Sequence, residues 1–581
     1  MNNEYKIIKD YDNLVEAYNE PVEIVEGLQH NLKETLTTIE LYSNSTFLSG
    51  NKDELGREKP FYNIGNYRVT TAKVATDLDV KDLRFEADSL KFSVQAMIIN
   101  RELFEFLKEI NYSKSLNEQG YTRAKYGGVI VKKYKDDEGI EIEVVDWKSV
   151  VVDPSDILGG TVIETHYISA SDLSLMDWDN KEEVIKAHTK FHKNKPAKIE
   201  IKEITGEYPE TYAPDSEGGS EFKYKTFCFY IACVGNKKFG LHYETIDDIN
   251  NKYKYLEWER IPGRGLGRGI WEDGFEAQTW TNDSMIAMKN AMELSGKVIL
   301  STTSKKVSGN VLTGVKSGHI FELEDGKTIS SLNLAASALP QLENVITLWD
   351  TQYNKASSTY DANTGEAPTA GTPYSQTALL NQVANSPFEY RREEMGIFQN
   401  EILNDWILPE LKKRIIKNHN LVAEYTDEEL DIIDEAVANF EGKKMAIASL
   451  LTGNPITPEQ DMMNKDTVKE NIGKTGKKRE IEIPEKFLDV KGKITANITG
   501  ELKNKQAILQ SLDSILKTVA STFNPNTGTY AAMENPFVKS VIGSIIDISG
   551  APLSAGQLSQ PQKAQMPPVP QAPQPALPVT A

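Results

Sequence analysis

The chain has 581 residues, 39% of them apolar and 26% charged, which is ordinary for a folded protein of several domains. No run approaches the roughly 18 uninterrupted apolar residues that cross a bilayer, and the first residues lack the apolar core of a signal peptide, so neither membrane insertion nor export is expected. Acidic residues outnumber basic ones by 85 to 65, and the net charge of -20 argues against tight binding of DNA through its phosphates. Simple solubility is one interpretation of this charge, and repulsion that keeps nearby DNA mobile is the other.

The first 50 or so residues are predicted to be helical. Leu28, Leu32, Leu36 and Ile39 recur at the spacing of one helix face. From about 60 to 260 the pattern becomes mixed α/β. The predicted elements are two strands around a polar turn within 127–147, a strand at 161–168, a helix at 181–191, and strands at 223–234 and 253–261.

The two cysteines, Cys228 and Cys233, lie in one aromatic and β-branched segment that is predicted to be a strand. Their odd separation places the thiols on opposite faces of that strand, so neither a disulfide nor a shared metal is expected. Buried free thiols fit a reducing cytoplasm.

A helix, a small β-rich insert and a second helix follow the glycine-rich segment at 263–269. The first helix is predicted over 271–295, with Met285, Met288 and Met292 on one face, where they would pack against a neighbouring helix. In the insert, Asp325-Gly326 is a strong two-residue hairpin signal. The returning helix is predicted over about 339–358.

The C-terminal part begins with residues 359–375, which are mostly small and include no basic side chain. Because a loop of this length without secondary structure is uncommon, it is predicted to be functional or disordered. A long helix at 376–419 follows and is predicted to break at Pro387. Beyond it, the sequence predicts acidic helices over 425–470, a short strand pair in KITANITGEL, another amphipathic helix, and a disordered Gln/Pro/Ala tail at 556–581.

Three motifs suggest chemistry but have the wrong spacing or surroundings. The glycines at 263, 265, 267 and 269 miss the dinucleotide fingerprint, because Arg268 and Ile270 stand where glycine is needed; flexible backbone is the preferred interpretation. GKT at 473–475 lacks the upstream glycine of a P-loop, which is Val468 here. His188 and His192 could share a metal, but their lysine-rich surroundings favour a solvated basic face.

Four segments together resemble the portal proteins of tailed double-stranded DNA bacteriophages. They are KPFYNIGNYRVTTAKVATDLDVKDL (59–83), YGGVIVKKY with VVDWKSVVVDPSD (126–156), RIPGRGLGRGIWEDGFEAQTWTN (260–282) and TGEAPTAGTPYSQTALLNQVANSPFEYRREEMGIFQNEILNDWILP (364–409). None is a catalytic signature, and the specificity lies in their order over roughly residues 55 to 420. Beyond residue 420 the similarity is one of architecture only.

This resemblance implies an α+β subunit with a fixed order of parts. They are an N-terminal helical segment and wing (1–265), a stem helix (266–295), a clip (296–338), a returning stem helix (339–358), a tunnel loop (359–375), a kinked wing helix (376–419), a crown (420–555) and the tail (556–581). The tunnel-loop residues that would face the DNA are Asp361, Asn363, Thr364, Gly365, Glu366 and Thr369. The clip residues that would bind partners are Lys305, Lys306, Lys316, Asp325 and Gly326, although the three lysines also fit an ordinary surface.

The implied function is structural, and no enzymatic activity and no cofactor are expected. The family forms a ring, usually a dodecamer, at one capsid vertex in the virion, assembled in the cytoplasm of the bacterial host. Its implied partners are the packaging terminase, head-completion and tail adaptor proteins, the major capsid protein, and double-stranded DNA bound without sequence specificity. Two alternatives stay open: another capsid-associated structural protein, such as a minor head protein or adaptor, and a nucleotide-binding enzyme built on the glycine cluster.

Overall fold

The computed structural model of the chain describes most of its first 417 residues and parts of the remainder. The described residues are 5–54, 56–135, 139–193, 197–214, 220–295, 300–302, 326, 329–331, 339–359, 374–417, 420–421, 427–451, 457–472, 481–482, 490–496, 523–524 and 529–530. Helices and strands alternate irregularly, and the described strand pairs are all antiparallel. The predicted α+β class is therefore confirmed.

The chain divides into two compact units. The first unit comprises Met1–Lys81 and Arg101–Asn418, and the second comprises Asp82–Asn100 and His419–Ala581. The helices in chain order are α1 (Ile7–Asn19), α2 (Leu32–Ser43), α3 (Gly65–Ala75), α4 (Ser93–Glu109), α5 (Tyr112–Tyr126), α6 (Ala170–Leu175), α7 (Lys181–Phe191), α8 (Ile270–Asp273), α9 (Phe275–Ser295), α10 (Leu339–Ala356), α11 (Tyr374–Ile402), α12 (Leu408–Lys417), α13 (Asp427–Leu451) and α14 (Pro458–Ile472).

The strands of the first unit form a hairpin, two larger sheets and a strand pair. The hairpin is β1 (Val22–Val25) with β2 (Leu28–His30). The strand β3 (Leu83–Ala87) belongs to the second unit. The strands of the first unit before residue 210 continue with β4 (Gly128–Lys135), β5 (Ile140–Val144), β6 (Val150–Val151), β7 (Val162–Ile168) and β8 (Ile199–Pro209). The later ones are β9 (Tyr224–Val234), β10 (Lys237–Ile246), β11 (Tyr253–Glu257), β12 (Leu300–Thr302) and β13 (Ile329–Ser331). A five-stranded sheet has the order β10-β9-β8-β7-β6, a three-stranded sheet has the order β11-β4-β5, and β12 pairs with β13.

Helices cover both faces of the five-stranded sheet. Successive residues of a strand point to opposite faces, and both faces of this sheet carry apolar side chains that need to be buried. Phe227, Phe229 and Ile231 of β9 pack in one cluster with residues of α1. Ala232 and Val234, on the opposite face, pack with Leu173 and Val184 of α6 and α7. Cys228 and Cys233 are free and five positions apart on this strand, as predicted; Cys228 is buried and Cys233 partly buried.

The described part of the second unit contains three strand pairs and a helix pair, α13 with α14. Its strand β3 (Leu83–Ala87) pairs with β16 (Gly492–Ala496), which follows the short strands β14 (Asn420–Leu421) and β15 (Ile481–Glu482) and precedes β17 (Phe523–Asn524) and β18 (Thr529–Tyr530). Of these short strands, β14 pairs with β15, and β17 pairs with β18. The side chain of Asn100 accepts from Phe85 N at 2.6 Å and donates to Phe85 O at 2.9 Å, so it continues the ladder beyond β3. KITANITGEL was expected to pair with itself, and this is wrong for its first half, whose partner is β3.

Other boundaries depart from the sequence-based expectations. Leu28 belongs to β2, is 57% exposed, and precedes the helix it was expected to join, which begins at Leu32. The helix predicted over 271–295 is two helices separated at Gly274. The break predicted at Pro387 is absent, since α11 continues through this proline, and the irregularity lies at a π-helical turn, Leu403–Ile407.

Candidate functional site

Helices α9 and α10 form an antiparallel hairpin that is anchored at its base. Tyr353 of α10 lies against Gly274, and four residues earlier on α10 Trp349 meets Trp280 of α9, so the two helices run in opposite directions. The Tyr353 hydroxyl donates to the carbonyl oxygen of Ile270 at 3.0 Å. Burial raises the pKa of Tyr353, which keeps it a neutral donor.

A buried arginine ties α10 to the first unit. Arg68 of α3 lies over the Tyr353 ring at 4.5 Å from the centroid and donates at 2.7 Å to both Asp350 and Asn354. Because Arg68 is only 3% exposed, its hydrogen bonds to these acceptors offset the cost of burying its charged guanidinium group. The base of the hairpin is therefore fixed by side chains that reach it from α3.

An extended segment before α3 runs along α9 and is held by the helix's polar side chains. Gln278, which is fully buried, accepts from Ile64 N and donates to Tyr62 O at 2.6 Å. Asn282 accepts from Tyr62 N at 3.0 Å. Farther along, Lys289 donates to Glu58 O, and Arg57 pairs with Glu293. This segment covers one side of α9, and α10 lies against another at Trp280.

The remaining hairpin surface is apolar and exposed. Trp280 and Trp349 stack with centroids 5.8 Å apart and an interplanar angle of 6°, yet Trp280 remains 53% exposed. Leu348 is 56% exposed and Met292 is 59% exposed. Among the described side chains, none between 285 and 293 or between 339 and 352 is buried. Exposed apolar groups in this number on two adjacent helices indicate an interaction surface.

The methionine face predicted on this helix is present but open. Met285 and Met288 are partly buried and Met292 is exposed. The described contact of α9 with α10 is made by Trp280, so the packing of the three methionines against a neighbouring helix stays a prediction. The exposure of Met292 leaves room for a further partner.

The glycine-rich segment before α8 is closely packed, and the interpretation as flexible backbone is wrong. A Cβ at Gly267 would stand 2.5 Å from Gly127 O, and one at Gly265 would stand 3.1 Å from the backbone nitrogen of Ile157. Arg264, 6% exposed, donates to Glu272 and to the carbonyl oxygens of Leu266 and Gly267. The glycines permit close backbone approach at positions where a side chain would not fit.

A buried ionic network joins the two larger sheets. Lys132 of β4 lies 2.9 Å from Glu164 of β7 and 2.6 Å from Glu203 of β8, and Lys252 also lies 2.6 Å from Glu203. Burial by itself raises the pKa of Glu203, but the hydrogen bond from His166 and the two ammonium groups outweigh burial and hold that pKa well below its usual range.

Glu164, His166 and Glu203 have the spacing of metal ligands. His166 Nε2 lies 3.0 Å from Glu203 Oε2, which also binds Lys132. The negative charges of the two glutamates are already balanced by the positive charges of Lys132 and Lys252. A divalent cation would therefore bring uncompensated positive charge into a buried position. The arrangement fits an ion-pair network that fixes the sheets. The sequence signal that was missed is charge at inward positions of β7 and β8.

His188 and His192 are close, with ring centroids 4.5 Å apart, but they do not form the predicted solvated face together. His188 is 5% exposed, and its Nε2 lies 3.3 Å from Lys198 O. One ring nitrogen of His188 is therefore engaged with the backbone. The solvated basic surface is confirmed only for the lysines around them, of which Lys190 and Lys193 are exposed.

Most of the predicted site residues lie outside the described residues. These are the tunnel-loop residues Asp361, Asn363, Thr364, Gly365, Glu366 and Thr369, and the clip residues Lys305, Lys306, Lys316 and Asp325. Gly326 is described and has φ of +77°, a conformation that suits the predicted turn. The pairing of β12 with β13, on either side of it, also agrees with a β-rich insert.

No family model matches the chain, and no curated protein matches it. Among the described helices, none is both long enough and apolar enough to cross a membrane. The function is therefore argued from the geometry of the hairpin and from the order of elements around it.

Proposed function

We propose that the chain is the subunit of a phage portal ring through which double-stranded DNA passes. The observation that carries the proposal is the α9–α10 hairpin, which is anchored at its base and exposes an apolar surface. In this proposal α9 and α10 are the stem helices, residues 296–338 are the clip, and residues 359–375 are the tunnel loop.

The exposed hairpin supports contact between copies of the chain. Helix α9 exposes part of Trp280 and Met292, whereas α10 exposes Leu348, so the two helices offer different surfaces. A contact between different surfaces of identical subunits is heterologous, and such contacts close into a ring when the rotation between neighbours permits. Burying each exposed apolar side chain would contribute roughly 1.5–3 kcal/mol per fully buried residue.

The two segments flanking α10 would then meet the ring's partners. The clip, with Lys305, Lys306, Lys316 and the turn at Asp325 and Gly326, would bind the packaging terminase and later the head-completion and tail adaptor proteins. The tunnel loop would face the DNA through its small and acidic side chains, whose lack of cations keeps phosphate contacts weak. The major capsid protein would hold the ring at its vertex in the virion.

The test is the oligomeric state of the purified full-length chain, measured by light scattering and negative-stain microscopy. We expect rings of about ten or more copies. Leu348→Lys places a charge on the exposed hairpin without entering the core and should yield monomers or small oligomers. Leu175→Lys is the matched control, since Leu175 is 86% exposed on α6 and lies outside the hairpin.

Rings that survive Leu348→Lys and a matching Trp280→Lys variant would exclude the hairpin as the contact. Monomers of the unchanged chain over a wide range of salt and protein concentration would contradict the ring itself. Circular dichroism of each variant shows whether its fold is intact, so that loss of assembly is distinguished from unfolding.

A further inference from the structure

One end of the five-stranded sheet gathers residues from four elements. There the start of β8, the end of β9, the start of β10 and the last turn of α7 meet. Lys237 pairs with Val234 across the β9–β10 turn, and His188 of α7 lies 3.3 Å from Lys198 O. Residues that are far apart in sequence therefore share one surface.

An exposed phenylalanine belongs to this surface. Phe191 is 58% exposed, although it belongs to an aromatic residue type that is normally buried. Its ring rests on the β9–β10 turn, where a Cβ at Gly235 would stand 2.7 Å from Phe191 Cε2. The ring also meets His192 edge to face, with centroids 5.0 Å apart. Phe191 is thus positioned by its neighbours and open to solvent.

Four lysines belong to the segments that meet at this end of the sheet. They are Lys190, Lys193, Lys198 and Lys237, all exposed, and none forms an ion pair with a residue that the structure describes. Several acidic groups on and beside these elements are already paired: Glu200 of β8 with Lys202, Glu182 of α7 with Lys186, and Asp12 of α1 with Lys238. The dipole of α7 places about half a negative elementary charge at its C-terminal end, which offsets only a small part of the positive charge of the lysines. The surface is therefore positive in a chain whose net charge is -20.

We propose that this surface, formed by Phe191 with Lys190, Lys193, Lys198 and Lys237, binds an acidic protein segment that carries an apolar side chain. An aromatic anchor inside a polar rim is a common arrangement of a protein contact site, and here the lysines give that rim a positive charge that favours an acidic partner. Duplex DNA is a poorer match, because the exposed ring would face phosphates and polar groove edges instead of an apolar group. The proposal does not depend on ring formation.

The test uses the full-length protein and fluorescence anisotropy at low and at physiological ionic strength. The probe is a short labelled peptide of aspartate and glutamate with a central pair of leucines. A second peptide replaces the leucines by serine, and a short DNA duplex is a third probe. The variants are Phe191→Ser and the pair Lys190→Glu/Lys193→Glu. The matched control is Lys114→Glu, which reverses an exposed charge on α5 of the same unit.

We expect the leucine peptide to bind more tightly than the serine peptide, and Phe191→Ser to abolish that difference. The lysine pair variant should weaken binding of both peptides about tenfold or more, with a dependence on salt, whereas Lys114→Glu should change it less than about twofold. Absence of saturable binding, or equal losses with Lys114→Glu, would overturn the proposal. Tighter binding of the duplex, sensitive to the lysines and insensitive to Phe191→Ser, would overturn it in favour of a nucleic-acid surface.

Discussion

Gly274 faces the ring of Tyr353 so closely that a Cβ at position 274 would stand 1.7 Å from Tyr353 Cε2. This contact occurs where α8 ends and α9 begins, and it brings the end of α10 against the start of the hairpin. The absence of a side chain at position 274 is thus a requirement of the base of the hairpin.

Gly274→Ala should destabilise the first unit by about 1–3 kcal/mol, because the added methyl group must displace the Tyr353 ring from a packed position. Thermal unfolding followed by fluorescence measures the loss. The control is Gly120→Ala in α5, where the nearest atom to an added Cβ is Lys73 Cγ at 3.9 Å. That change should be neutral or stabilising, since alanine favours a helix interior over glycine. Equal melting temperatures for the two variants would contradict the role of the Gly274 contact.

Asp273, beside Gly274, should make stability depend on pH near neutrality. Burial, with the like charges of Glu259 and Glu272, raises the pKa of Asp273 to about 7, although Arg268 and Arg391 act in the opposite direction. The native state therefore binds a proton more tightly than the unfolded state, so this contribution to stability is present at low pH and is lost as the pH rises through 7.

Asp273→Asn removes that titration. The variant should gain melting temperature relative to the unchanged chain between pH 6 and 8, with the difference largest at the alkaline end. Glu276→Gln, which removes an exposed carboxylate from α9, is the control for a general loss of negative charge. Melting temperatures that change with pH in the same way for the unchanged chain and for Asp273→Asn would refute the raised pKa of Asp273.

Lys132→Met should destabilise the protein by about 3–5 kcal/mol, because Glu164 would lose its ammonium partner and Glu203 would keep only Lys252. Adding Glu164→Gln to this variant removes the carboxylate that lost its ammonium partner and leaves the pair of Glu203 with Lys252 intact, so the double variant should recover part of the stability. Denaturant unfolding compares the single and double variants. A double variant that is less stable than Lys132→Met alone would show that charge balance is unimportant there.

Glu40 should contribute to acid sensitivity. Burial by itself raises the pKa of Glu40, but hydrogen bonds from Lys125, Lys148 and Tyr126 outweigh it and lower that pKa to about 2. The stabilisation is present above the ordinary pKa of a glutamate and is lost as the pH falls towards 2. Glu40→Gln should lower the melting temperature at pH 7 and have a smaller effect near pH 2. If Glu40→Gln lowered the melting temperature equally at pH 7 and near pH 2, the ion pairs of Glu40 would be excluded as the cause.

The sequence predicted several elements closely where local pattern and packing agree. The helix expected at 181–191 is α7 residue for residue, because Val184 and His188 fall on its buried face. Strand β8 was missed because Glu203, Thr205 and Gly206 are buried although they are polar or lack a side chain. Glu203 is neutralised by Lys132 from another sheet, and that partner cannot be identified from local sequence.

The sequence predicted the order of elements in the hairpin, but it did not predict which apolar side chains of the hairpin are exposed. The alternation of helix, insert and helix follows from periodicity, so the second helix was located to within two residues of its observed end at Ala356. The break at Gly274 depends on Tyr353, which is distant in sequence. The expected break at Pro387 was based on local propensity, and the helix continues despite the proline.

The pairing of β3 with β16 affects how the chain folds during synthesis. Leu83–Ala87 leaves the ribosome early, whereas its partner, Gly492–Ala496, is translated after the whole of the first unit. Until then, β3 lacks the strand that pairs with it in the finished protein. Strand edges without a partner promote aggregation. Closing a loop of this length also slows folding. Nascent chains truncated before residue 492 should therefore depend more on chaperones than the finished protein does.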